Sequence, residues 1–241
     1  LHKSVTYRKS STRTPPMHTI ASLLLVSSAL TQAAPLELKK GYHISIVGNT
    51  LAERMQHHGW LETLITARFP QHDLSFRNLG FSGDELTLRL RSASFGSPDE
   101  WLTKTKTDVI FAFFGYNESF AGQAGLEKFK TDLGSYLQHL KMQKYNGQSP
   151  PRIVLFSPIA HENLFDPNLP DGKANNERLK LYTAAMAEIA KANGVTFVDL
   201  FTLSLELFAA ADKPLTINGI HLREHGDQQL AKIIRLLEVF R

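Results

Sequence analysis

Short apolar runs recur along this chain, each closed by glycine or a small polar residue, and longer amphipathic stretches separate them. Residues 42–47, 74–79, 108–114, 152–157 and 195–200 read as strands. The third, Asp-Val-Ile-Phe-Ala-Phe-Phe, is apolar almost throughout, as a strand is when helices cover both faces of its sheet. Residues 51–69 carry apolar side chains at Leu51, Met55, Leu61, Leu64 and Ile65, a spacing that predicts a helix with one buried face. Residues 126–143, 176–193 and 224–240 read as further helices, and Gly147-Gln148-Ser149-Pro150-Pro151 ends the first of them. Strands alternating with long helices predict an α/β fold, a three-layer sandwich around a five-stranded parallel sheet. No repeat, low-complexity tract or linker divides residues 35–241, which are expected to form a single domain.

Residues 1–34 follow a different pattern. Met17 starts a segment in which Ile20–Val26 is apolar but for Ser22 and Ser27–Ala34 is small or polar but for Leu30, ending at Pro35. That is the form of a secretory signal peptide with cleavage near Ala33 or Ala34. Only His18 and Thr19 stand between Met17 and the apolar run, so residues 1–16 either supply the basic region or lie upstream of the true start. A secreted or periplasmic product follows, with no stable membrane insertion after cleavage. The alternative is a polar tail containing a chance apolar run.

Composition narrows the function classes. The chain has 241 residues, 42% of them hydrophobic and 21% charged, the balance of a globular protein. Its net charge of +4 would suit a nucleic-acid partner, but Lys3, Arg8, Lys9 and Arg13 all precede residue 35 and no acid accompanies them. Taking those four from 27 basic residues leaves 23 against 23 acidic ones, and no basic footprint remains. The absence of cysteine excludes disulfides, thiol nucleophiles and thiolate metal sites. No paired histidines stand at metal-ligand spacing in the motifs, so neither metal nor cofactor is expected.

Four segments at predicted strand ends carry candidate chemistry: Gly48-Asn49-Thr50-Leu51, Phe81-Ser82-Gly83-Asp84, Gly115-Tyr116-Asn117-Glu118 and Asn218-Gly219-Ile220-His221. Strand ends of an open parallel sheet converge on one crevice. There Thr50 would offer a hydroxyl, although Asn49 and Thr50 also suit a helix cap. Gly83 would offer an unobstructed backbone N–H, or serve only as a turn. Asn117 would offer an amide to a developing oxyanion, or close an Asx-turn. The three-residue spacing from Asn218 to His221 lets the amide oxygen accept from Nδ1 and leaves Nε2 as a base. Asn49, Tyr116 and Glu118 would line the crevice. His161, Glu162 and Asn163, which follow the fourth strand, would line it too, unless they form a polar surface loop. Glu118 or Glu162 could also lend His221 a carboxylate.

In this order the four segments resemble the conserved blocks of the SGNH/GDSL hydrolase superfamily, over nearly all of residues 42–241. The resemblance implies a flavodoxin-like hydrolase architecture and cleavage of an ester, with an acyl group on a carbohydrate the softer expectation. It implies Thr50 in the nucleophile's place, Gly83 and Asn117 in the oxyanion hole, Asn218 in place of the orienting acid and His221 as base. The family's pattern has serine where this chain has Thr50, and aspartate where it has Asn49 and Asn218. Threonine's methyl group crowds attack, and asparagine cannot stabilise an imidazolium as a carboxylate does. A glycan- or ligand-binding module on the same fold is therefore the alternative. The hydrolase reading requires the Thr50 hydroxyl within hydrogen-bond reach of His221 Nε2.

Overall fold

In the computed structural model, which describes residues 36–236, five parallel strands form one sheet in the order β2-β1-β3-β4-β5. They are β1 (His43–Gly48), β2 (Ser75–Asn78), β3 (Val109–Phe113), β4 (Arg152–Phe156) and β5 (Thr196–Val198). The leader and its proposed cleavage site lie outside the described residues. Every residue of β3 is buried, whereas β2 at one edge alternates between exposed and half-buried. Alternation along β3 divides the core. Val109, Phe111 and Phe113 join Ile44, Ile46, Val154 and Phe156 on one face, and Ile110 and Ala112 join Val47, Ile153 and Leu155 on the other. On the first face Phe113 stacks on Phe156 with ring centroids 4.4 Å apart.

Helices α1 (Thr50–Met55), α2 (Trp60–Arg68) and α8 (Glu224–Leu236) cover the first face through Ala52, Met55, Leu61, Ile65, Leu230 and Ile234. Helices α4 (Pro98–Lys104), α5 (Gly122–Met142) and α6 (Lys173–Ala192) cover the second. The stripe Leu126, Phe129, Leu133, Leu137 and Leu140 along α5 shows the three- and four-residue spacing that buries one helix face.

The fold differs from the sequence expectation in three places. The helix expected over 51–69 is two helices, because Gly59 takes a left-handed φ of 63° and its N–H returns to Met55 O at 2.9 Å, which ends α1. Residues 92–104 form α3 (Ser92–Phe95) and α4, although no element was expected there. Ser97, Pro98 and Glu100 make a capping box with proline at the first helical position. Finally, α7 (Leu200–Ala210) follows β5, started by Asp199 accepting from Thr202 N–H at 2.9 Å.

One glycine sets the geometry at the end of β1. Gly48 has φ 140°, and a Cβ there would collide with the main chain of Phe113. That close approach lets Asn49 N–H donate to Phe113 O at 3.1 Å. Gly48→Ala is expected to lower stability by at least about 2 kcal/mol, measured by urea denaturation, because backbone cannot yield as a side-chain tip can.

Candidate active site

The strand order places the crevice. From β1 the chain first adds β2 on one side, then crosses to β3 on the other, so the C-terminal ends of β1 and β3 flank a switch point. Hydrogen bonds to main-chain carbonyls tie the first three segments together there. Phe81 N–H donates to Gly48 O at 2.9 Å, and Asn117 Nδ2 donates to Asp84 O at 3.2 Å. Segments from three strand ends thus meet where a single strand end could supply only one group.

Asn49 is the N-cap of α1: it is buried, and its Oδ1 accepts from Leu51 N–H at 3.3 Å. The cap is therefore Asn49 and not Thr50, which becomes the first helical residue. The Thr50 hydroxyl has no hydrogen-bond partner among the described residues. Thr50, Asn49, Tyr116 and His221 line one cleft of about 40 Å³, together with Ser157 and Ile159. Tyr116 accepts from Asn175 Nδ2 at 3.3 Å, and burial pushes its phenol pKa upward. Gly83, with φ 85°, and Asn117 stand in the adjoining segments but are not among the residues lining that cleft.

The fourth segment closes on itself. Asn218 Oδ1 lies 3.1 Å from His221 Nδ1 and also accepts the His221 main-chain N–H at 3.1 Å. An oxygen that accepts twice puts the ring proton on Nδ1, so in the neutral imidazole Nε2 is the free basic atom. Burial depresses the His221 pKa, and the nearby Arg54 guanidinium depresses it further. Arg54 is a residue that the strand-end reasoning missed, although its signal was present. It lies four positions after Thr50 on α1, and that spacing returns to the same helix face. Arg54→Met should raise the His221 pKa and move the acid limb of the pH–activity profile to higher pH.

Four predicted crevice residues are turned to other work. Glu118 Oε1 accepts from Leu86 N–H at 3.0 Å and Oε2 from Gly115 N–H at 2.9 Å, and burial pushes its carboxyl pKa upward. Glu162 Oε1 accepts from Leu215 N–H at 3.0 Å, while Oε2 accepts from Thr216 N–H at 2.7 Å and from Thr216 Oγ1 at 2.6 Å. Neither carboxylate bonds to His221, so neither replaces the missing acid; each clasps main chain. Thr216 Oγ1 in turn accepts from Gly219 N–H at 2.9 Å, and Glu162 N–H donates to Gly219 O at 2.8 Å. Glu162 therefore shapes the loop that carries Asn218 and His221. His161 lies beneath that loop, only 6% exposed, and its Nδ1 accepts from Asn175 Nδ2 at 3.0 Å. A Cβ on Gly219, where φ is 91°, would collide with the His161 ring. Asn163 is exposed and closes a turn, its Oδ1 accepting from Phe165 N–H at 2.8 Å. None of these four lines the cleft.

Among the described residues, no cluster of three or more His, Asp or Glu is placed to hold a metal ion, and no helix is long and apolar enough to cross a membrane. No curated protein matches the chain. Solved structures do. An acetylxylan esterase from Geobacillus stearothermophilus, crystallised as a catalytic mutant, superposes with a TM-score of 0.64 at 16% identity, covering 86% of this chain and 99% of that one. A gut microbial diltiazem-metabolizing enzyme gives 0.64 at 18% identity, over 84% of this chain and 48% of that one. An alpha/beta hydrolase from the metagenome of Lake Arreo, Spain, gives 0.60 at 18% identity, over 81% and 94%. At such identities the likeness speaks for the fold. The sequence speaks more specifically: residues 45–229, which contain all four segments, match the GDSL-like Lipase/Acylhydrolase family, and the chain belongs to that family.

Proposed function

We propose that this protein is an exported hydrolase that removes a small acyl group from a carbohydrate ester. One observation carries the reading: Asn218 holds His221 with Nε2 free on the cleft that Thr50 also lines. In the proposed reaction His221 Nε2 takes the proton of Thr50 Oγ1 as that oxygen attacks the acyl carbonyl. Gly83 N–H and the second amide hydrogen of Asn117, which stand beside the cleft and not in its wall, would have to turn to the resulting oxyanion to stabilise it. His221 then returns the proton to the departing alcohol, leaving an acyl-threonine. Water, activated by the same imidazole, releases the acid and restores Thr50. The missing Thr50–His221 hydrogen bond would form on substrate binding, since such bonds are commonly longer without substrate.

Three observations support the finer parts. The cleft that Thr50 and His221 line is small, about 40 Å³, which suits a small acyl group. A structural neighbour is an acetylxylan esterase. The leader pattern of residues 17–34 supports export. Purified protein should hydrolyse short-chain aryl esters and acetylated sugars; turnover no greater than that of a Thr50→Ala control would overturn the reading.

A second reading, a glycan-binding module without catalysis, draws on the unpartnered Thr50 hydroxyl and the uncharged partner of His221. It predicts that calorimetry against polysaccharide fragments detects binding unaffected by Thr50→Ala, with no hydrolysis.

A further inference from the structure

The cleft that holds Thr50 does not end at His221. A recess of about 10 Å³, lined in part by Arg54, His58 and Asp227, shares Leu51, Ile220 and His221 with it, so the two spaces adjoin along the imidazole. That volume is about the space of one water molecule, enough for one polar group of a ligand and too little for a ring.

Arg54 brings an unbalanced charge to this recess. Its Nε is buried without a hydrogen-bond partner, and its guanidinium makes no hydrogen bond or ion pair among the described residues. Four other arginines are engaged: Arg89 with Asp84 Oδ2 at 3.6 Å, Arg91 with Leu79 O at 2.7 Å, Arg178 with Asn175 Oδ1, and Arg223 with Thr216 O at 2.8 Å. The acid that shares the recess does not serve Arg54. Asp227 makes no ion pair with it, and burial and the charge of Glu62 push the Asp227 pKa to about 7, so below that pH its carboxyl is mostly neutral. The Arg54 charge falls instead on His221, whose pKa it lowers. A partly buried guanidinium without an acceptor is costly, so a bound group should supply one.

These features select that group. An apolar group would desolvate the guanidinium further and leave it unpaired. A hydroxyl would give it an acceptor but no opposite charge. A carboxylate supplies both, and its shape matches the planar fork of guanidinium donors. The proposed reaction decides which half of the substrate carries it. His221 returns a proton to the departing alcohol, so the alcohol lies along the imidazole, and the recess adjoins that same ring. We propose that Arg54 is a specificity-determining residue that binds a carboxylate on the alcohol half of the substrate, so that the preferred ester is one on an acidic sugar, a uronate. Placing the carboxylate on the alcohol rests on the carbohydrate-ester reading; the anion site itself does not. Binding would also offset the charge that depresses His221, so the contact that selects the substrate would strengthen the base.

Calorimetry on the full chain compares methyl glucuronoside with methyl glucoside, and methyl galacturonoside with methyl galactoside. At least one acidic pyranoside should bind about tenfold tighter than its neutral counterpart, and Arg54→Met should abolish the difference. Hydrolysis of 4-acetoxybenzoate and 4-acetoxybenzamide is followed in parallel. These esters differ in the charge of the departing phenol, and the ratio of their kcat/KM values cancels what the substitution does to His221 for both. That ratio should fall about tenfold in Arg54→Met, mainly through KM. Thermal unfolding establishes that the variant is folded; Arg54→Gln replaces it if it is not. No preference for either acidic pyranoside overturns the proposal, and so does a preference that a folded variant keeps. A pyranoside preference lost in the variant with an unchanged ester ratio overturns the placement on the alcohol. A carboxylate preference without turnover of either ester leaves the anion site standing and the esterase reading fallen, and turnover without the preference does the reverse.

Discussion

Asn218→Asp should raise kcat on an aryl ester about 10²-fold. Asn218 already stands 3.1 Å from His221 Nδ1 and already selects the ring tautomer that frees Nε2. In the proposed reaction an amide oxygen lacks the charge that would stabilise the imidazolium formed as Thr50 gives up its proton. An aspartate in the same position would supply that charge, and loss of this carboxylate from a serine–histidine–aspartate triad costs about 10⁴ in kcat. We expect less than that full factor because much of it comes from the wrong ring tautomer, which Asn218 already avoids, so only the charge is gained. The substitution also makes the partner anionic, so the His221 pKa should rise from its depressed position and the acid limb of the profile should move to higher pH. Unchanged or lower kcat in a folded Asn218→Asp protein would mean that proton transfer to His221 does not limit, or does not occur.

Asp227→Asn should stabilise the protein by about 4 kcal/mol near pH 8, with the gain fading towards pH 4. Asp227 lies in the first turn of helix α8 and is only 3% exposed, and its Oδ2 has no partner among the described residues. Burial, and then the charge of Glu62, push its pKa from 3.8 to about 7. The sign follows from the two states. Below pH 3.8 the carboxyl is protonated whether folded or unfolded, and it exerts no pH-dependent penalty. As the pH rises from 3.8 towards 7, the unfolded chain ionises and the folded chain does not, so stability falls; above pH 7 the loss is complete. An amide has no charge to bury, and the pH dependence that comes from Glu118 and His221 is common to both proteins, so the difference between the two denaturation midpoints should grow from pH 4 to pH 8. A midpoint difference that stays constant across pH 4–8 would show that Asp227 ionises freely in the folded state.

Asp227 also shares a small cavity with Arg54, His58 and His221, so both substitutions act on one region. They are best measured separately before being combined, because groups this close need not contribute additively.

Several features could be read from the chain because they depend on neighbours in sequence. The apolar run of β3 and the stripe along α5 express burial on two faces and on one. The turn from Asn218 to His221 is local, so its spacing alone brings Oδ1 to Nδ1. The break at Gly59 and the capping box at Ser97–Glu100 had local signals as well, but a continuous apolar spacing hid the first and a short helix the second.

The polar residues around the crevice followed no such rule. Glu118 and Glu162 stand at strand ends in sequence, as crevice residues do, yet they turn to main-chain N–H groups 32 and 53 residues away. A carboxylate faces whichever buried donors would otherwise go unsatisfied, and those donors are placed by the packing of other segments. The sequence alone therefore determined the strands, the sheet's buried character and the His221–Asn218 pair, because backbone periodicity and short turns dictate them. Only the tertiary structure decided which polar side chains open onto the cleft and that Arg54 stands beside His221. Those choices depend on which distant chain segments compete for the same hydrogen bonds and the same buried space.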